Sequence, residues 1–234
     1  MSLKSPVRRH VKSILAQLSS AELIDQSLKA AVALRQLPVY RDASTIGFYM
    51  SMDASELKTS LMIRNAFEDG KKVFLPRCHF QPTLTAFSTT RDYSKSAKKN
   101  HLVFHHMPSL TQLLEMKPQG PYKLKEPSED LPDCFSPEFG GIDLLIMPGV
   151  AFSINTSGGV NRIKRLGHGA GFYDEFVARH KKYVDDYNEA HSQEKKYPFL
   201  LGACLKEQLV EDVPTDELDE DLNGLLITDK FHQL

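Results

Sequence analysis

The chain has 234 residues, of which 41% are hydrophobic and 25% are charged, and its formal net charge at pH 7 is −1. This length and composition predict a soluble globular protein with one domain and a substantial core. The balanced charge gives no general basis for binding nucleic acid or an acidic membrane surface, so any anion site must be a local cluster. Cys78, Cys134 and Cys204 are far apart and include no C-x-x-C, which argues against a disulfide framework or a zinc site.

We expect a cytoplasmic protein that binds neither membrane nor nucleic acid. No apolar run approaches the length of a membrane span, and the first residues lack the apolar core of a secretory signal. No stripe of basic and aromatic residues indicates RNA binding. Residues 1–12 are basic and contain no acid, as in a mitochondrial transit peptide, but their periodicity fits a folded helix better.

Two helices are predicted at the amino terminus. The first carries its apolar residues on one face: Val7, Val11, Ile14, Leu15 and Leu18. The second begins at a capping box formed by Ser19 and Glu22 and stops at Pro38. Lys4 and Arg8 are four residues apart and therefore project from one side of the first helix. Taken alone, such a pair is most simply a solvated basic end.

Strands and helices then alternate. A strand is predicted over 45–50, a helix over 57–67 that ends at Gly70, and a second strand over 71–75. The loop between the first strand and its helix lies where open α/β sheets place ligand-binding groups. Glu56 in this loop is either a binding carboxylate or a capping acid, and Asp53 competes for both roles.

A polar insertion is predicted at about 88–138, after a short strand over 84–87, with one short helix over 109–116. His101, His105 and His106 form a group that can suggest a metal site. No other type of metal ligand is nearby and the segment is polar, so we interpret the three histidines as part of a solvated loop.

The most informative stretch runs from 144 to 176. The apolar run 144–147 ends at Pro148 and Gly149 and predicts a buried strand that leads to a site. Glycines at 167, 169 and 171 precede a predicted helix over 172–187. Exposed backbone N–H groups and the positive end of a helix dipole can hold a phosphate. The spacing is neither the G-x-G-x-x-G of a dinucleotide fold nor a P-loop, so the glycines alone are a weak signal.

The remaining segments complete an α/β pattern. A polar linker at about 188–197 precedes strands over 199–205 and 225–228, and the acidic run 216–221 between them is interpreted as solvated surface. This alternation predicts a single α/β domain with a mainly parallel open sheet and helices on both faces. The arrangement is Rossmann-like and three-layered, with an additional N-terminal helical pair.

With its flanks, the glycine-rich stretch closely resembles the signature of the 5-formyltetrahydrofolate cyclo-ligase family, also called 5,10-methenyltetrahydrofolate synthetase. The matching residues are PGVAF at 148–152 and RLGHGAGFYD at 165–174. The resemblance implies an enzyme that converts 5-formyltetrahydrofolate to 5,10-methenyltetrahydrofolate with ATP and Mg²⁺, releasing ADP and phosphate. It further implies that the formyl oxygen is phosphorylated on the way. We expect a monomer.

The resemblance also assigns site residues. ATP would be bound by Lys4, Arg8, Arg165, Leu166, Gly167, His168, Gly169, Ala170, Gly171, Phe172 and Tyr173. The folate would be bound by Glu56, Leu84, Phe152 and Tyr173, with the Glu56 carboxylate accepting the paired donors of the pterin ring. Mg²⁺ would be bound by Asp174 and Asn223.

Three residues depart from the family pattern. His168 stands where many relatives have Arg or Met, Phe172 where Tyr is usual, and Asn223 where relatives often have a second metal-associated Asp. Whether Arg162 or Arg165 faces the phosphates stays open at this stage. The alternative reading is a non-catalytic folate- or nucleotide-binding protein of the same fold.

Overall fold

Helices and strands alternate in the computed structural model, which describes residues 3–52, 56–79, 101–119, 124–156, 161–191 and 194–234. The helices are α1 (Lys4–Leu15), α2 (Ser20–Gln36), α3 (Pro38–Asp42), α4 (Ser60–Glu68), α5 (Leu110–Glu115) and α6 (Phe172–His191). A 3-10 turn covers Lys206–Gln208. Within these described ranges, the helices are all too short or too polar to cross a membrane.

Seven strands form the main sheet. They are β1 (Thr45–Gly47), β2 (Lys72–His79), β3 (His101–Met107), β6 (Leu144–Met147), β9 (Phe199–Cys204), β10 (Gly224–Ile227) and β11 (Lys230–Gln233). Their order is β11-β10-β9-β6-β1-β2-β3. The five inner strands are parallel, and the two edge strands, β3 and β11, are antiparallel to their neighbours. Two small antiparallel pairs lie outside this sheet: β4 (Pro118–Gln119) with β5 (Leu124–Lys125), and β7 (Ala151–Asn155) with β8 (Arg162–Leu166).

Each face of the sheet packs on its own layer of helices, because successive side chains of a strand point to opposite faces. Leu144 and Ile146 of β6 pack in the cluster that contains the buried residues of α1, α2 and α4. Leu145 and Met147 pack in a second cluster, with residues of α6. The predicted three-layer α/β architecture with helices on both faces is therefore confirmed.

The N-terminal helical pair is also as predicted. The Ser19 hydroxyl accepts a hydrogen bond from the Glu22 backbone N–H at 3.2 Å, and the Glu22 carboxylate accepts one from the Ser19 N–H at 3.0 Å. Pro38 ends α2 but also begins the unpredicted helix α3, since proline is well tolerated in a first helical turn.

The interpretation of the three histidines as a solvated loop is wrong. They lie on edge strand β3, which pairs with β2 along its whole length. His105 is buried, with its Nδ1 2.7 Å from the Leu131 carbonyl oxygen, and the His106 ring packs on Phe139. The strand forms because alternate apolar residues, Leu102 and Phe104, enter the α6-side cluster. The predicted strand over 84–87 lies outside the described residues.

The side chain of His180 on α6 is hydrogen-bonded to the turn that leads into β6. Its Nε2 accepts a hydrogen bond from the Ile142 backbone N–H at 2.7 Å, and an added Cβ at Gly141 would stand 2.9 Å from the same nitrogen. The imidazole is 1% exposed, and this burial lowers the pKa of His180 to about 3. His180 is therefore neutral in the folded protein at neutral pH.

This burial predicts a loss of stability in acid. Below its ordinary pKa of about 6.5, His180 takes up a proton in the unfolded chain but not in the native state, so the unfolding free energy falls with pH until about pH 3. The slope from this one group is at most about 1.4 kcal/mol per pH unit. Urea unfolding should show that His180→Gln, which keeps an acceptor for Ile142, removes this component. The exposed His232→Gln should leave the pH dependence unchanged, and an unchanged profile for both variants would contradict the assignment.

Candidate active site

The carboxyl edge of the parallel strands opens onto a cavity of about 630 Å³. Pro148 follows β6, Tyr49 and Met50 follow β1, and Pro76 and Cys78 belong to β2. The rest of the lining is Met52, Glu56, Leu102, Leu124, Lys125, Glu126, His168, Gly169, Ala170, Phe172 and Tyr173. Ligands of open α/β sheets bind at this edge, so the cavity is the candidate site.

A glycine loop, residues 167–171, forms one wall of the cavity. It connects β8 to the first turn of α6, whose dipole end is positive. Gly169 and Gly171 have φ values of 109° and 70°, in the left-handed region that favours glycine. An added Cβ at Gly171 would meet no atom within 4 Å, so the backbone is open to a ligand there.

Helix α1 brings two cations to this loop. The Arg8 Nε donates to the Gly167 carbonyl oxygen at 2.7 Å, and its guanidinium lies 3.6 Å from where a Cβ on Gly169 would stand. One turn earlier, the Lys4 ammonium pairs with Asp216 at 2.7 Å and with Asp219 at 2.5 Å. Lys4 and Arg8 thus share one side of α1, as their spacing predicts.

The acidic run 216–221 is more than the solvated surface that the sequence suggests. Besides the two bonds to Lys4, Glu220 pairs with Lys181 at 2.6 Å and Asp221 with Arg162 at 2.7 Å. The Glu220 backbone N–H also lies 3.3 Å from the Asp174 carboxylate. Ion pairs with cations of α1, β8 and α6 therefore hold this acidic loop beside the glycine loop.

A buried ion pair lies beneath the glycine loop. The Arg165 side chain is 4% exposed, and its Nη2 is 2.7 Å from the Asp174 carboxylate. Its Nη1 donates to the Pro148 carbonyl oxygen at 3.1 Å, and its guanidinium packs 5.8 Å from the centre of the Tyr173 ring. Arg162 is 47% exposed and is directed to Asp221 instead. Of the two arginines, Arg165 is the one that adjoins the glycine loop.

Glu56 places a buried carboxylate in the cavity wall. One oxygen accepts a hydrogen bond from the Met52 N–H at 3.1 Å, and the other lies 3.7 Å from the His168 Nε2. Burial raises the pKa of Glu56, and the positive charges of Lys58 and Lys12 partly offset this effect. Burial lowers the pKa of His168, as do the nearby charges of Lys12, Arg8 and Arg165. Asp53, the alternative to Glu56, lies outside the described residues.

Neutral side chains form much of the remaining wall. Burial raises the pKa of both Tyr49 and Tyr173, so both phenols keep their protons at neutral pH. The Tyr49 hydroxyl donates to the Leu57 carbonyl oxygen at 2.9 Å. Burial, with the Glu126 charge, raises the pKa of Cys78 to about 11, which makes this thiol a poor nucleophile at neutral pH.

Not all of the predicted site residues reach the cavity. The Phe152 ring is completely buried and packs where a Cβ on Gly149 or Gly202 would stand, and Leu166 is a core residue. The Asn223 Oδ1 accepts a hydrogen bond from the Leu200 N–H at 2.7 Å, at the start of β10. Leu84 lies outside the described residues.

Sequence reasoning missed Lys12. It follows Arg8 by four residues on α1, and its charge reaches both Glu56 and His168. The repeat of Lys4, Arg8 and Lys12 every four residues was a signal that could have identified it. Glu126 with Pro127 resembles a dipeptide that many family members carry in a comparable place, whereas Lys125 has no such signal.

The sequence matches a known family along almost its whole length. The family described as the 5-formyltetrahydrofolate cyclo-ligase family matches residues 1–228. The chain belongs to the 5-formyltetrahydrofolate cyclo-ligase family. Its relatives include the 5-formyltetrahydrofolate cyclo-ligase of Saccharomyces cerevisiae, which is 34% identical over 98% of this chain and 97% of the relative. The cyclo-ligase of Mus musculus is 26% identical over 97% and 95% of the two chains.

Two solved structures of 5,10-methenyltetrahydrofolate synthetases share the fold. The protein from Aquifex aeolicus aligns with a TM-score of 0.67 at 19% identity, over 99% of this chain and 93% of its own. The protein from Mycoplasma pneumoniae aligns with a TM-score of 0.57 at 16% identity, over 98% and 100%. The predicted membership of the cyclo-ligase family, a family of ligases, and the predicted fold are both confirmed.

The buried ion pair of this cyclo-ligase family member should matter for stability. Asp174→Ala leaves the Arg165 charge buried without its carboxylate, so we expect a loss of about 3 kcal/mol in unfolding free energy. Asp25→Ala breaks the exposed ion pair between Asp25 and Lys29 and should change it by no more than about 1 kcal/mol. Urea unfolding of the two variants measures the difference. Equal, small effects would mean that water solvates Arg165 when its partner is removed.

Proposed function

We propose that the chain catalyses the ATP- and Mg²⁺-dependent cyclisation of 5-formyltetrahydrofolate to 5,10-methenyltetrahydrofolate, with release of ADP and phosphate. The observation that carries the proposal is that, in a cyclo-ligase family member, a glycine loop contacted by Arg8 of α1 lines the same cavity as the buried carboxylate of Glu56. The loop and the cations suit phosphates, and the carboxylate suits a pterin ring. Relatives that this chain matches over nearly their full length carry the cyclo-ligase name.

The proposed reaction has two steps. The formyl oxygen is a poor leaving group, so it first attacks the γ-phosphorus of ATP, forming an O–P bond while ADP leaves. The neighbouring secondary amine then attacks the formyl carbon and loses its proton, and the C–O bond breaks to release phosphate. Such chemistry depends on positioning and charge neutralisation more than on a protein nucleophile. The raised pKa of Cys78 keeps its thiol protonated, which is consistent with a reaction that uses no protein nucleophile.

The ATP phosphates are proposed to bind over the glycine loop. Backbone N–H groups of residues 166–173 and the start of α6 offer donors, and Arg8 already contacts the loop. Lys4 lies one turn away on the same side of α1 and would exchange its two aspartate partners for phosphate oxygens. Arg165 supports the loop from beneath and adds positive charge.

The folate ring is proposed to bind against Glu56. The adjacent ring N–H and amino group of a pterin form a paired donor edge, which a carboxylate accepts in bidentate fashion. Tyr173 supplies an aromatic surface for ring packing. Phe152 would act only indirectly, by shaping the turn at Gly149 that its ring covers. The contact predicted for Leu84 stays a prediction.

Asp174 is proposed as a Mg²⁺ ligand. In the described parts of the chain, no group of three or more His, Cys, Asp or Glu side chains could hold a metal. Mg²⁺ usually takes one or two protein carboxylates together with substrate phosphates, so the hard oxygens of Asp174 beside the glycine loop fit that pattern. Bound there, Mg²⁺ would neutralise phosphate charge. To bind the metal, Asn223 would first have to give up its hydrogen bond from the Leu200 N–H. Asp219, which pairs with Lys4, is therefore the second oxygen ligand that we favour.

We further propose a cytoplasmic monomer that acts on 5-formyltetrahydrofolate and ATP without a membrane or nucleic-acid partner. Support comes from the near-neutral net charge of −1 and from the helices of the described residues, which offer no membrane span.

A non-catalytic folate- or nucleotide-binding protein of the same fold is the second candidate. The departures at His168 and Asn223 favour it. The presence of Lys4, Arg8, Glu56 and Asp174 around the candidate site favours the enzyme instead, because a binding protein has no need of a phosphate and metal site in addition to a folate site.

Absorbance at the methenyl-folate band separates these candidates. Purified protein with 5-formyltetrahydrofolate and Mg²⁺ should show a rise that requires ATP. Arg8→Ala and Asp174→Asn should lower the rate about 100- to 1,000-fold, because each removes one preorganised charge at the phosphates. Urea unfolding checks that both variants are folded. No rise despite tight folate binding would favour the binding protein, and no binding at all would sink both candidates.

Two glycines with the same backbone φ angle provide a matched test of the glycine loop. Gly171 and Gly70 both have φ of 70° and open space around a new Cβ, so alanine at either should cost about 1 kcal/mol in unfolding free energy. Only Gly171→Ala should also raise the KM for ATP, by about tenfold, because only there would the strained backbone and the new Cβ lie where the proposed phosphate binds. Steady-state kinetics with both variants measures this. Equal KM values for the two would remove the loop from the phosphate site.

A further inference from the structure

The charged lining of the cavity is uneven. Glu56 and His168 lie together at one place, and Lys125 and Glu126 lie at another. Among the described lining residues, Lys125 alone carries a permanent positive charge. Its side chain is half-buried in a mostly apolar wall, and no carboxylate of the described ranges lies within ion-pair distance of its ammonium. Partial burial of an unpaired charge costs free energy, so the position favours an incoming anion.

The segment that carries Lys125 is attached to the edge of the sheet. The Glu126 carboxylate accepts a hydrogen bond from the Cys78 N–H at 3.1 Å, and Arg77 donates to the Pro127 carbonyl oxygen at 2.8 Å. Both anchors belong to β2. The glycine loop is contacted instead by Arg8 of α1 and Arg165 of β8.

Among the described residues, the neighbouring charged side chains are directed away from Lys125. The Glu126 carboxylate next to it in sequence is turned to the β2 backbone. Arg77, the other cation nearby, lies in an adjoining cavity of about 470 Å³, where Glu115, Glu129 and Asp130 also point, and it is 3.8 Å from Glu129. An anion in the main cavity would therefore meet Lys125 and not Arg77.

We infer that Lys125 binds a carboxylate of the glutamate portion of the folate substrate. The inference rests on the proposed function. A folate has a pterin donor edge at one end, an apolar benzoyl linker in the middle and carboxylates at the other end. The same cavity contains all three kinds of partner: the Glu56 carboxylate, apolar side chains that include Leu102 and Leu124, and the Lys125 ammonium. The glycine loop has its own cations in Arg8 and Arg165, so the ATP phosphates proposed there do not require Lys125.

Substrate truncation tests the assignment. The two substrates are 5-formyltetrahydrofolate and 5-formyltetrahydropteroate, which lacks the glutamate. Lys125→Ala should raise the KM for the complete substrate about tenfold, as expected for the loss of one charge-assisted contact, and should leave the KM for the truncated one unchanged. The kcat and the KM for ATP should not change. Lys125→Arg should restore most of the affinity, and the remote Lys230→Ala should have no effect.

The possible outcomes are distinct. An equal loss for both substrates would overturn the inference, because Lys125 would then only support the wall. A raised KM for ATP in Lys125→Ala would also overturn the inference, because Lys125 would then bind the nucleotide and not the folate. If the wild-type protein shows no cyclisation, the proposed function fails, and calorimetric titration with the same two ligands still decides the inference. Tighter binding of the complete ligand that Lys125→Ala abolishes would support it, and identical binding by both proteins would overturn it.

Discussion

The buried pairing of Arg165 with Asp174 is the interaction on which the site depends. Arg165 lies near the end of β8, Asp174 lies in the first turn of α6, and Pro148, whose carbonyl Arg165 also contacts, follows β6. One guanidinium thus joins three chain segments that meet around the glycine loop. A buried ion pair adds little net stability over an apolar substitute, because desolvation cancels most of its attraction. Its consequence here is geometric, since the two ends of a loop with two left-handed glycines are held at a set separation.

The two α1 cations near this pair, Lys4 and Arg8, have different kinds of partner. Lys4 pairs with Asp216 and Asp219, which lie more than 200 positions away in sequence. Arg8 rests on a carbonyl oxygen rather than on an acid. A phosphate that approaches the loop therefore competes with carboxylates for Lys4 but meets no competing acid at Arg8. Metal ions would reverse this balance for the acidic loop, because Asp219 released from Lys4 offers oxygen to a cation.

The candidate binding groups of the cavity come from segments attached to different strands. The candidate phosphate-binding groups follow β8, Glu56 follows β1, and the segment that carries Lys125 is attached to β2. They line one cavity because the carboxyl ends of neighbouring parallel strands open at one edge of the sheet. A long substrate with different groups along its length suits such an edge better than a single compact pocket.

The sequence by itself determined the elements whose signals are local. The capping box at Ser19, the apolar run of β6, the four-residue spacing of Lys4 and Arg8 and the glycines before α6 each depend on neighbours along the chain. Edge strands β3 and β11 and the hairpin of β7 with β8 escaped prediction. β8 and β11 are short and rich in polar residues, and β3 lies in the segment interpreted as a polar insertion. β8 reads RIKRL and forms a strand only because β7 lies opposite it.

Tertiary structure alone decided which side chains of a correct motif reach the cavity. Phe152 belongs to a matching motif, yet the twist of its hairpin turns the ring into the core against Gly202. Arg165 is separated from Arg162 by three positions, and only the fold shows that Asp174 selects one and Asp221 the other. Lys12 continues the four-residue repeat of Lys4 and Arg8, but only the fold shows that its charge acts on Glu56 and His168. Local spacing specifies helices and loops, whereas proximity between distant side chains arises only when the sheet assembles and its two faces are covered.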